Sequence, residues 1–190
     1  MTLALKSFAV SLALASPVLA EEASTAALAN DFVAICVEQL PDLSNAQTRA
    51  HMLGYTAVPA QIASQLLGES LNTEDWHVFG KAIVGETLAL IRFAEKSLDS
   101  ESQAVLGSER ASLCELSVAG TELDPQAFSH ALSKKLELGE PSVDFVNSGQ
   151  REKAWELYVA YNVSILHFRQ INGIERDAYS ASLIVPQRTR

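Results

Sequence analysis

Basic residues, cysteines and metal-binding patterns are all scarce in this chain, and each shortage closes off a class of function. Lysine and arginine number 14 against 23 aspartates and glutamates, a formal net charge of −9. Nucleic-acid phosphates and anionic membrane surfaces would both repel such a chain, so neither is an expected partner. The four histidines, His51, His77, His130 and His167, form no HxH, HExxH or HxxxH pair, and no Cys–His set has zinc spacing. No metal and no other cofactor is expected. Nucleophile signatures are missing as well: there is no GxSxG elbow, no P-loop and no HRD motif. The acidic stretch Leu98 to Gln103 has too few oxygens, and no glycine, for a calcium loop. Beyond the first 20 residues no apolar run approaches the roughly 18 residues of a spanning helix, so no membrane span is expected.

What is present begins with an address. Lys6 precedes an uncharged apolar run from Phe8 to Ala15, and Val18 and Ala20 occupy the −3 and −1 positions of a small-residue cleavage site. Residues 1–20 therefore read as a signal peptide, with cleavage before Glu21 and a periplasmic or secreted, soluble product. With Lys6 gone the 14 basic side chains become 13 against 23 acidic ones, a net charge near −10. The remaining residues, 21–190, suffice for a single domain with a real core.

The two cysteines, Cys36 and Cys114, lie in the predicted exported part. An even count in an oxidising compartment predicts a disulfide between them. Cys36 sits on an apolar helical stripe, which argues against a reactive free thiol.

Periodicity gives three helices. Leu28, Phe32, Ile35, Cys36 and Leu40 share one face of a helix over 26–40, with Ser24 or Thr25 as its cap and Pro41 as its stop. Ser44 and Gln47 form a capping box for a shorter helix that ends near Gly54. Asp124, Pro125 and the stripe Phe128, Leu132, Leu136 mark a third, ending before Gly139. Strands are expected over Thr87–Phe93, Ala111–Val118, 153–161, Val163–Gln170 and Glu175–Val185. In 153–161, Trp155, Leu157, Val159 and Tyr161 share a face. The last two strands flank Asn172-Gly173, a type I′ hairpin signal.

The fold class is thus α+β, an antiparallel β-sheet with two or three helices packed on one face. A faint internal repeat runs through it. The helix at Ser44 corresponds to that at Asp124, Trp76 to Trp155, Phe93 to Phe168, and the run from Glu109 to that from Glu175. Two pseudo-symmetric helix-plus-three-strand units, 44–118 and 124–185, would account for it, as would the general self-similarity of helix-then-strand chains. The polar segment 96–108 reads as a long hairpin loop, and as a partner-contacting segment or a functionless insertion.

Trp76 and Trp155 are the only tryptophans, and they are the candidate contacts for a ligand or partner. The competing reading is core filling. No catalytic residue is nominated. The sequence points to a non-enzymatic binding or interaction module of the cell envelope, recognising a protein or small ligand. The alternative is a small cell-envelope hydrolase using carboxylates such as Glu74, Asp75, Glu86, Glu152 and Glu156.

Overall fold

A computed structural model describes residues 17–67, 76–83, 87–119, 123–147, 149–171 and 178–187. The chain opens with helix α1 (Pro17–Phe32), which continues as a π-helical turn, Val33–Val37. The apolar stripe is why this segment docks: Leu28, Phe32, Ile35, Cys36 and Leu40 are all buried. The helix begins at Pro17, so Ser24 and Thr25 are interior positions and not caps, and the predicted cleavage after Ala20 falls within α1. Residues 1–16 of the predicted signal peptide lie outside the described residues.

Helix α2 (Leu43–Met52) is capped by Asp42, whose carboxylate accepts from the Asn45 N–H at 3.0 Å, and Ser44 is not the cap. A two-residue strand β1 (Thr56–Ala57) and helix α3 (Ala60–Leu67) follow, then β2 (His77–Ala82) and β3 (Leu88–Ser97). Segment 96–108, read as a loop, instead folds as helix α4 (Ser100–Leu106). Asp99 caps it and Gly107, at φ +64°, ends it. Leu98 and Leu106 hold it down against Ala111, Ile165 and Ile184, so it is a packed element and not an exposed insertion.

Strand β4 (Arg110–Ala119) leads to helix α5 (Pro125–Lys135), where Asp124 accepts from the Gln126 N–H at 2.8 Å and Pro125 takes the first turn. The left-handed residue that ends α5 is Glu137, at φ +51°, not Gly139. Replacing Asp124 by alanine orphans an N-terminal donor and is expected to cost about 1 kcal/mol, read as a lower urea midpoint at unchanged slope.

The chain closes with β5 (Val143–Asn147), β6 (Gln150–Val159), β7 (Asn162–Ile171) and β8 (Ala178–Pro186). Between β6 and β7 a two-residue turn places Ala160 at φ +49° and Tyr161 at φ +65°. Tyr161 therefore leaves the strand face that it was expected to share with Trp155. Two left-handed L-residues are unfavourable, so Ala160→Gly should stabilise the protein by up to about 1 kcal/mol in thermal unfolding. The Asn172-Gly173 turn lies outside the described residues, although β7 and β8 do pair antiparallel.

All eight strands form one antiparallel sheet in the order β1-β2-β3-β4-β8-β7-β6-β5. Each half is a four-stranded meander preceded by a helix, where three strands per unit were expected, and the halves join along β4 and β8. One face, the inner face, carries the main core under α1, α2 and α5: Phe79, Ile91, Phe93, Cys114, Leu116, Trp155, Leu166, Phe168, Leu183. Phe128 of α5 packs its ring against Phe168 and Tyr179. Burial, with the Asp124 carboxylate nearby, raises the Tyr179 phenol well above its ordinary range. The Cys36–Cys114 disulfide ties the π-helical turn to β4.

Helices cover both faces, not one. On the outer face α3 lays Ala63 over Val78 and Leu90, and α4 covers the β4–β8–β7 end. Gly80 of β2 makes room there, since a Cβ would come within 2.9 Å of Val58.

Candidate functional site

Strand alternation sends every second residue to the outer face, and register then aligns those residues into rows across the sheet. One row reads Val78, Arg92, Glu115, Ser182, His167, Ala154, Val143, each the direct cross-strand partner of the next. A second reads Gly80, Leu90, Ser117, Ser180, Arg169, Glu152, Phe145. These positions come from seven strands, which is why linear spacing could not reveal them.

The two halves treat this face differently. In the first half it is closed. Arg92 donates to Glu115 Oε2 from Nε at 3.0 Å and from Nη2 at 2.8 Å. Ser117 donates to the other carboxylate oxygen at 3.3 Å. The Trp76 ring stacks over the guanidinium at 4.6 Å, and both charged residues are buried. A buried, hydrogen-bonded and stacked pair of this kind is a structural plug.

Matching registers, with Phe93 set against Phe168, bring Arg92 onto His167 and Glu115 onto Ser182. The same match brings Phe79, not Trp76, onto Trp155. The tryptophans therefore occupy inequivalent places. Trp155 is 5 % exposed in the inner core and donates to the Gly139 carbonyl at 3.0 Å, so it is no surface contact. Trp76 is half-buried over Arg92.

In the second half the same face is open beyond the end that α4 covers. Glu152 sits between His167 Nε2 at 3.6 Å and Arg169 Nε at 3.8 Å, and all three are partly exposed. Tyr158 stands 82 % exposed on the same face of β6, and Phe145 and Val143 are about half exposed on β5. Beyond them β5 is the sheet's edge, with all five of its residues exposed. Asp144 there is held below the usual carboxylate range by the hydrogen bonds it accepts from Arg151.

The remaining candidates are dispersed. His51 packs edge-on against Phe79, and His130 lies beside α1. Glu74, Asp75 and Glu86 lie outside the described residues. Glu152 and Glu156 share one strand face four residues apart, about 13 Å at Cα. Among the described residues no cluster of metal-ligating side chains occurs and no helix is long and apolar enough to cross a membrane. On the inner side, burial and the Asp31 carboxylate push the Tyr55 phenol up, while Lys81 pairs with Asp31 at 2.8 Å. Compared with known proteins, the chain matches no family, no curated sequence and no solved structure.

Proposed function

We propose that this chain is an exported, non-enzymatic interaction module that binds a partner protein through the outer face and free edge of its second half. The observation that carries this reading is the asymmetry of the two meanders. One buries its outer-face charges beneath Trp76, beside the apolar patch that α3 covers, and the other leaves Glu152, His167 and Arg169 partly exposed beside Phe145 and Tyr158. Exposed aromatics beside hydrogen-bonding charges are the composition of a recognition surface, and an unpaired edge strand adds main-chain donors and acceptors. The disulfide fits an oxidising compartment and the small-residue site at Ala20 supplies the route there.

Two measurements test it. Intact mass of the exported material should correspond to a chain starting at Glu21, and a chain starting at Met1 in the cytosol would contradict export. A photo-crosslinking residue placed at Tyr158 or Phe145 in living cells should give a discrete adduct, whereas Met52 and Val105, exposed elsewhere, should not. Identical adduct patterns from all four positions would overturn the assignment of the face.

A further inference from the structure

The sheet ends differently on its two sides. At one edge β1 is two residues long, and at the other β5 is five. An exposed edge is a template for pairing, and proteins that keep one unpaired blunt it with a short strand, lysine, proline or a bulge. The shortness of β1 is such a device. The sequence of β5, VDFVN, holds neither lysine nor proline, and its five residues pair in unbroken register with β6. Val143 and Phe145 on the outer face are 50 % and 53 % exposed, and Val146 on the inner face is 68 % exposed. The free strand is therefore apolar on both faces.

Charge and area point to its occupant. Asp144 is the only charge on β5, and Arg151 and Lys153 stand behind it on β6, on the same face. An antiparallel match with a second β5, centred on Phe145, sets the two Phe145 rings opposite each other, a favourable cross-strand pair. It also sets Asp144 against the partner's Val146. The partner's Arg151 lies in that same row, one strand or about 4.8 Å beyond. Four cations then flank two carboxylates, so the meeting edges are charge-matched although each chain carries a net −9. The three apolar side chains bring on the order of 300 Å² per copy, below what a stable interface of roughly 1,200 Å² in total requires. The pair is a reversible one.

We infer that β5 pairs with the β5 of a second copy of this chain, joining two eight-stranded sheets edge to edge. This rests on the reading of the second half's edge as a binding surface and names what occupies that edge. The outer face of β6 and β7 stays open beside the junction.

Sedimentation velocity in 0.15 M salt, where charge repulsion is screened within about 8 Å, should show a monomer at about 5 µM and a growing dimer at about 500 µM. Val146→Lys places a lysine on the exposed edge; it should hold the protein monomeric at both concentrations with an unchanged melting temperature. Phe145→Cys should oxidise to a disulfide-linked dimer, since directly opposed strand residues lie within disulfide reach, and Met52→Cys, exposed elsewhere, should not. A wild type that stays monomeric at the higher concentration, a dimer undiminished by Val146→Lys, or equal cross-linking of Met52→Cys would each overturn self-pairing. In cells, a photo-crosslinking residue at Phe145 should give an adduct of twice the chain's mass. A Phe145 adduct with another protein alone would overturn self-pairing and leave the binding surface in place. A dimer in solution without any adduct from Tyr158 would uphold self-pairing and count against the open face.

Discussion

Glu115→Ala is expected to lower the unfolding free energy by about 3 kcal/mol, because a buried guanidinium loses the carboxylate that accepts two of its hydrogen bonds. The Glu115 and Arg92 side chains are 12 % and 10 % exposed, so water cannot replace the lost carboxylate. The Trp76 ring offers the guanidinium its face but accepts little hydrogen bonding, and Ser117 loses its acceptor as well. Replacing both charges, Arg92→Met with Glu115→Leu, should recover most of the loss, since the desolvation cost then disappears with the pair. Denaturant unfolding of the wild type, the single variant and the double variant decides between these outcomes. A single variant as stable as the double would show that the pair is solvated in solution.

Reduction of the disulfide should be of comparable size. Cys36 and Cys114 close a loop of 78 residues, for which the chain-entropy model gives about 4 kcal/mol. Both residues are fully buried, so the bond also fixes how the π-helical turn meets β4 at the centre of the core. The double variant Cys36→Ala, Cys114→Ala should melt well below the oxidised protein and be indifferent to dithiothreitol. Equal melting temperatures with and without reductant in the native protein would contradict this.

How much of this was legible in the sequence follows from where each signal resides. The helix at Asp124 was legible because its cap, its proline and its stripe are all local, and the disulfide because compartment and count suffice. Helix α4 was missed because its apolar residues, Ala104, Val105 and Leu106, are consecutive and show no helical period over fewer than two turns. Strand β5 was missed for a different reason: all five of its residues are exposed, so no alternation of burial was imposed on its sequence. The turn at Ala160-Tyr161 carries no glycine or asparagine to announce its positive φ angles.

The candidate face is the clearest case. Arg92, Glu115, Ser182 and His167 are neighbours only through the registers of β3, β4, β8 and β7. The sequence pairing of the two tryptophans failed on the same point, since similar surroundings along the chain placed them on opposite faces of the sheet.

The claim that the second half's outer face is the binding surface is most directly tested by hydroxyl-radical footprinting in two settings. In the purified protein, Phe145, Tyr158 and Met52 should all oxidise readily, and Trp155 should be inert. In intact cell envelopes Phe145 and Tyr158 should become protected while Met52 stays reactive. Unchanged reactivity of Phe145 and Tyr158, or protection of Met52 in their place, would contradict the account.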